Sequence, residues 1–320
     1  MDSLDVFGVR VDDVTFGEAL ALLRSWIAAR TPHFVVTPNP EFVMMAQRDA
    51  LFRAALADAA MAIPDGGGLL LAARLWGRPF REQVRGTDLV YRLAGLGARE
   101  GQRWFLLGAA PGVAAEAGQR LEARYPGLRV VGTFAGSPRP EDDAATCGAI
   151  RAAGPVDVLL VAYGAPSQEL WMARNVAALG VPVAIGVGGV LDFISGRVRR
   201  APRWLRDLGL EWLFRLLVQP RRWRRQLALP RFGLWAVWET PRQRRRLAGR
   251  AAGLTVPSWA GGMPPLAADV PHPLTPNATD AASPSRPTRP DSANNARPNP
   301  LEAATQAKPR RAWEAEGESA

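Results

Sequence analysis

The chain has almost no cysteine or histidine. Its 320 residues include one cysteine, Cys147, and two histidines, His33 and His272. A lone cysteine excludes a disulfide framework and a zinc site built on thiolates. Two histidines so far apart argue against a His-rich metal centre and against a Ser-His-Asp hydrolase, and no Gly-x-Ser-x-Gly elbow is present. No Asp-x-Asp pair follows a strand-like run, so a divalent cation has no evident ligands. Glu141-Asp142-Asp143 instead reads as surface acid favoured by a helix dipole. No uncharged apolar run reaches the roughly 18 residues of a spanning helix. Met1-Asp2-Ser3-Leu4-Asp5 shows neither the basic stretch nor the apolar core of a signal peptide. The expected location is therefore the cytoplasm.

Positive charge is plentiful but local. The net charge is +10, yet residues 1–196 carry 18 basic and 20 acidic groups, and residues 251–320 carry 6 and 7. Residues 197–250 hold 16 arginines against 3 acids, together with 5 of the 11 tryptophans. A phosphate-bearing or anionic partner is implied for that segment rather than for the whole chain.

Three parts are expected: an α/β core at 1–200, a basic amphipathic helical appendage at 201–250, and a disordered Pro/Ala-rich tail at 251–320. Leu4 to Val14 alternates like a β-ribbon, and Phe16 to Ala29 has a helical apolar period that Thr15 can cap. Strand-like runs recur at His33–Val36, Ala60–Ile63, Arg103–Leu107, Leu128–Thr133, Val156–Ala162 and Pro182–Val187. Between them lie helical stretches at Glu41–Ala57, Gly67–Leu75, Thr87–Arg99, Val113–Tyr125, Glu141–Ala152 and Ser167–Leu179. This alternation predicts parallel βαβ units, with a Rossmann-like half from about Arg103 to Val187. In the appendage, Leu210, Leu213, Phe214 and Leu217 mark one helical face. The tail holds 12 of the 28 prolines and too little apolar surface to offset its ordering entropy.

If His33–Val36 and Ala60–Ile63 are parallel strands, Thr37, Asn39 and Asp65 meet at one sheet edge, where open α/β sheets place their ligands. Asp65 before Gly66-Gly67-Gly68 reads either as a helix N-cap or as a general base at a strand end, and the two are compatible. Thr37-Pro38-Asn39 has a turn reading as well as a ligand reading. Arg85 opens Arg85-Gly86-Thr87-Asp88 as a solvated charge or a phosphate clamp. Gly164-Ala165-Pro166-Ser167-Gln168-Glu169 offers open amides at a helix start, and Gln168 can donate and accept towards a sugar or phosphate. Gly186-Val187-Gly188-Gly189-Val190-Leu191-Asp192 is a loosened dinucleotide fingerprint with the wrong glycine spacing. Its Asp192 suits ribose hydroxyls or simply a helix start.

Taken in order, these motifs, with Arg200-Ala201-Pro202 and Glu211-Trp212-Leu213, resemble the bacterial WecG/TagA/CpsF glycosyltransferase family over roughly residues 5–240. The resemblance implies an inverting, metal-independent hexosyltransferase with no cofactor. Such an enzyme moves a sugar from a UDP-sugar donor to a polyprenyl-diphosphate-linked sugar acceptor, in teichoic-acid, capsule or exopolysaccharide biosynthesis. The donor sugar is left among N-acetylmannosamine, its uronic acid and glucose. Carried over by motif, Asp65 would be the catalytic base and Thr37 a substrate-positioning neighbour. Asn39, Arg85 and Gln168 would line the sugar–diphosphate pocket, and Asp192 would contact the nucleoside. The family's C-terminal appendage targets the membrane and lends arginines to the site. Arg215, Arg222 and Arg225 are the candidates here.

Interleaved Trp, Phe and Arg over residues 201–246 fit a peripheral helix on the anionic inner face of the cell membrane. No nucleic-acid partner is expected, and a homo-oligomer is compatible with the sequence. Two other functions stay open at this point. A nucleotide-binding oxidoreductase would require a strict glycine fingerprint. A basic nucleic-acid-binding module would require salt-sensitive affinity carried by residues 197–250 alone.

Overall fold

The computed structural model describes residues 1–202, 204–205, 211–218 and 223–251. Within these, the side chains of Arg215, Arg224, Arg225 and residues 246–251 are not described. The expected disordered tail thus falls outside the described residues, apart from the backbone of Ala251.

The chain opens with an antiparallel ribbon, β1 (Ser3–Val6) and β2 (Val9–Asp12), and helix α1 (Phe16–Ala29). Thr15 caps the start of α1, as the sequence predicts, and Glu18 reciprocates to close a capping box. A six-stranded, wholly parallel sheet follows. Its strands are β3 (His33–Val36), β4 (Met61–Ala62), β5 (Arg103–Gly108), β6 (Arg129–Phe134), β7 (Val158–Ala162) and β8 (Val183–Gly186), in the order β4-β3-β8-β7-β5-β6. Helices α2 (Pro40–Ala46), α3 (Ala50–Asp58), α4 (Gly67–Leu75), α5 (Gly86–Glu100), α6 (Val113–Arg124), α7 (Asp143–Ala152), α8 (Ser167–Leu179) and α9 (Val190–Ile194) connect and flank it.

Alternation along the strands builds two cores. Phe34, Val36, Phe105, Leu107, Leu159 and Val161 face one layer, and Val35, Trp104, Leu106, Val158, Leu160 and Ile185 face the other. Both sheet faces are covered, so the strands read as continuous apolar runs, not as alternating ones. Each such side chain contributes about 1.5–3 kcal/mol when fully buried.

Two details differ from the sequence reading. The helix expected over Glu41–Ala57 is two helices, because Asp49 caps the second by accepting the Phe52 N–H at 2.9 Å. Strand β4 is only two residues long, although Ala60 N–H to Phe34 O and Ile63 N–H to Val36 O extend its ladder on either side. The outer edge of β4 is met by the ribbon: Asp12, nearly fully buried, accepts the Ala62 N–H at 2.7 Å. Burial pushes the Asp12 carboxyl above the usual range, against the opposing pull of that amide and of Arg10.

The chain leaves β3 towards α2 on the first core's side, and leaves β8 towards α9 on the second core's side. Adjacent loops diverging to opposite faces open a crevice at the C-terminal ends of the strands. Past the sheet the described residues include the helices α10 (Glu211–Val218), α11 (Trp223–Gln226) and α12 (Ala228–Ala251). Helix α12 is fastened to the first core through buried Phe232 and Ala236, and Trp76 Nε1 donates to Ala236 O at 2.9 Å.

Candidate functional site

The crevice holds two adjoining lobes, with cavity volumes of about 190 and 270 Å3. Asp65, Asn39, Glu41 and Val187 line both, so these residues stand at the junction. The larger lobe is completed by Thr37, Tyr163, Gln168, the Gly188-Gly189 pair and Asp192, at the ends of β3, β7 and β8. The smaller is completed by Arg85, Thr87, Arg200, Glu211 and Trp212, and it runs towards α10 and α12.

Each junction residue is placed by ordinary backbone chemistry. Asn39 is the N-cap of α2, its Oδ1 accepting the Phe42 N–H at 3.1 Å. The turn reading of Asn39 therefore holds, and the residue still lines both lobes. Asp65 is held by its own N–H, which donates to Pro38 O at 2.8 Å and ties the loop after β4 to the loop after β3. Gly66, at φ 93, turns the chain into α4. Gly86, the first residue of α5, packs against both loops. A Cβ there would lie 3.1 Å from Thr37 Cγ2 and 3.9 Å from Asp65 Oδ2.

Thr37 is buried, with its Oγ1 at 3.5 Å from Gly186 O across the β3–β8 seam. Gln168 is almost wholly engaged. Its Oε1 accepts the N–H groups of Gly164 at 3.1 Å and Gly188 at 2.9 Å, and its Nε2 donates to Glu169 Oε1 at 2.7 Å. It bolts the loops after β7 and β8 together while lining the larger lobe. Tyr163, in the same lobe, has its phenol pushed up to about 12 by burial and so stays a proton donor at neutral pH.

In the smaller lobe Arg85 Nη2 donates to Gln83 Oε1 at 3.0 Å, and Arg85 Nη1 lies 3.9 Å from Asp88 Oδ2. Arg200 reaches the same aspartate from residues 112 positions away. Burial disfavours the charge on Arg200, but Asp88 and Glu211 outweigh it and hold the guanidinium protonated.

All six core residues singled out from sequence thus come together: Asp65 and Asn39 at the junction, Thr37, Gln168 and Asp192 in one lobe, Arg85 in the other. Arg222 lies outside the described residues, as do the side chains of Arg215 and Arg225. The sequence reading missed Glu41, Tyr163, Arg200 and Glu211. Arg200 and Glu211 stood in recognisable motifs, but no local signal pairs positions so distant. Glu41 in the first turn of α2 has the pattern of any dipole-favoured acid.

Residues 4–246 match the family model described as Glycosyl transferase WecG/TagA/CpsF family. The chain is 35% identical over 199 residues to an N-acetylglucosaminyldiphosphoundecaprenol N-acetyl-beta-D-mannosaminyltransferase of Bacillus spizizenii, covering 62% of this chain and 76% of the relative. It is 31% identical over 218 residues to a protein of the same description from Bacillus subtilis, covering 68% of this chain and 84% of the relative.

Proposed function

Because the chain belongs to the WecG/TagA/CpsF family of glycosyl transferases, we propose that it transfers N-acetylmannosamine from its UDP-linked form to N-acetylglucosamine carried on undecaprenyl diphosphate. The acceptor and the transferred sugar are those in the names of its relatives. The observation that carries the reading is the junction: Asp65, one of two carboxylates that border both lobes, stands at a strand end between them, as a base between two substrates must.

The donor occupies the larger lobe, with Asp192 towards the nucleoside. The acceptor sugar enters the smaller lobe from the appendage side. Asp65 takes the proton of the acceptor hydroxyl while that oxygen attacks the anomeric carbon. The bond from that carbon to the UDP oxygen breaks on the opposite face, so the configuration inverts. The charge that develops on the departing diphosphate needs fixed donors in a water-poor site, and Arg85, whose lobe meets the donor's at the Asp65 junction, supplies them where the diphosphate crosses that junction. Thr37 and Asn39 orient the substrates, and Gln168 fixes the glycine loops of the donor lobe. Arginines in place of a divalent cation make the reaction metal-independent.

A lipid-linked acceptor brings the enzyme to the membrane. No described helix is long and apolar enough to cross one. Trp76, Trp104 and Trp171 are fully buried in the core, whereas Trp204, Trp212, Trp223 and Trp238 are exposed beyond residue 200. Such tryptophans among arginines suit a peripheral position on an anionic surface. Sedimentation with anionic vesicles that weakens with added salt, and no sedimentation with neutral ones, is the expected result.

The test of the reaction is label transfer from a panel of UDP-sugars to a synthetic prenyl-diphosphate-linked N-acetylglucosamine, with EDTA present. Transfer from UDP-N-acetylmannosamine alone is expected. Transfer from another donor would replace the sugar, loss in EDTA would replace the metal-independent mechanism, and no transfer with no UDP binding would overturn the reading.

A further inference from the structure

Arg200 is a charged group in the cleft to which the reaction above gives no role. Its side chain is 17% exposed and lines the smaller lobe with Arg85, Asn39 and Asp65. Its Nη1 donates to Asp88 Oδ1 at 2.5 Å and its Nε to Glu211 Oε1 at 3.4 Å. Its Nη2 is buried and has no hydrogen-bond partner among the described residues. A buried donor of this kind calls for an acceptor, and in a cleft that acceptor is a ligand, an ion or water. Asp88 lies between this guanidinium and that of Arg85, so one carboxylate holds two planar donor sets against one cavity. Paired guanidiniums match the spread oxygens of a diphosphate in a way that a single point charge does not. Glu211, which meets Arg200 at the long distance of 3.4 Å, belongs to α10 and also lines the lobe.

We propose that Arg85 and Arg200, bridged by Asp88, are the seat of a substrate diphosphate, and that Glu211 occupies Arg200 until that diphosphate displaces it. The inference rests on the glycosyl-transfer reading, in which donor and acceptor each carry a diphosphate. It adds a consequence: seating the ligand replaces the Glu211 bond, so the state of the cleft reaches the first turn of α10. The weak bond from Glu211 makes the exchange easy, whereas the short bond to Asp88 keeps Arg200 in place.

The experiment is calorimetric titration of the full chain with UDP and, separately, with a short-chain prenyl-diphosphate-linked N-acetylglucosamine. Wild type, Arg200→Lys, Arg200→Gln and Glu211→Gln are compared. Arg200→Gln is expected to weaken binding of at least one ligand by roughly tenfold to a hundredfold, and Arg200→Lys to fall between it and wild type. Glu211→Gln is expected to tighten the same ligand by about two- to fivefold, the range of a partly exposed ion pair. A residue that merely braces the fold would not tighten binding when removed. An effect confined to UDP assigns the seat to the donor, and one confined to the prenyl ligand assigns it to the acceptor. If Arg200→Gln does not fold, as judged by thermal unfolding, Arg200→Lys and Glu211→Gln decide the question. Unchanged affinities in the Arg200 variants, or unchanged or weaker binding in Glu211→Gln, overturn the proposal while an active wild type keeps the transferase reading. A wild type that binds neither ligand and transfers no sugar overturns both.

Discussion

At the N-terminal edge of the sheet, Asp157 accepts the backbone N–H of Arg103 at 2.8 Å, its Nε at 3.0 Å and its Nη2 at 2.9 Å, and a further bond from Arg30. At the C-terminal edge, Asp65 stands with Asn39, Thr37 and Arg85 around open space. Both edges belong to one sheet, and each sets an aspartate beside arginine. The depression at the N-terminal edge is even the larger, about 440 Å3 against 190 and 270 Å3 for the lobes. Size is therefore a poor guide to function here. The N-terminal edge spends its donors on one another, whereas the C-terminal edge converges loops from separate strands on a shared junction. Burial pushes the Asp157 carboxyl up, but the hydrogen bonds and charges of Arg103 and Arg30 hold it, on balance, below the usual range.

The comparison is broken most severely by removing the junction carboxylate. Asp65→Asn should lower turnover by roughly a hundredfold or more, the scale of a lost general base, while UDP affinity and unfolding temperature hold. Near-normal turnover would remove Asp65 as the base.

Gly86→Ala comes next. Its new Cβ would press Thr37 Cγ2 at 3.1 Å and approach Asp65. Displacing the junction should reduce kcat by about tenfold with less change in KM, as read from initial rates. Unchanged kcat would show that the seam between the loops tolerates movement.

Asp157→Asn tests the other edge. It should lower unfolding stability by about 1–3 kcal/mol in urea titration and leave kcat within about twofold. The pH dependence has a defined sign. A carboxyl whose folded-state pKa is depressed contributes stability above its unfolded value, about 3.9, and loses it as pH falls through the lower folded value. Wild type and variant should therefore converge in stability in strong acid. A constant difference would mean that the charge on Asp157 is not what matters.

Glu41→Gln sharpens the comparison most finely, because Glu41 is the other carboxylate that borders both lobes. Its place in the first turn of α2 assigns it to the helix dipole, so turnover should fall less than about fivefold. A loss as large as that of Asp65→Asn would exchange their roles.

Much of this was legible in the sequence because the information was local. Strand and helix periods gave the βαβ order, and the spacing of Thr37, Asn39 and Asp65 from two apolar runs gave the shared edge. Thr15 fixed the start of α1 to the residue. What was hidden depended on distance or on competition. The break in Glu41–Ala57 hinged on Asp49, whose capping bond competes with a helical period that runs on past it. The pairing of Arg200 with Asp88 joins elements 112 residues apart, and nothing local encodes it. Gln168 looked like a ligand-facing amide because sequence cannot show that Gly164 and Gly188 already use its oxygen.

The most direct measurement pairs the two edges: kcat and unfolding free energy for Asp65→Asn and Asp157→Asn in one assay series with UDP-N-acetylmannosamine and the prenyl-diphosphate acceptor. The account predicts a crossed result, in which Asp65→Asn loses turnover and keeps stability, and Asp157→Asn loses stability and keeps turnover. Asp65→Asn turning over at near the wild-type rate, with Asp157→Asn the slower enzyme, would contradict it.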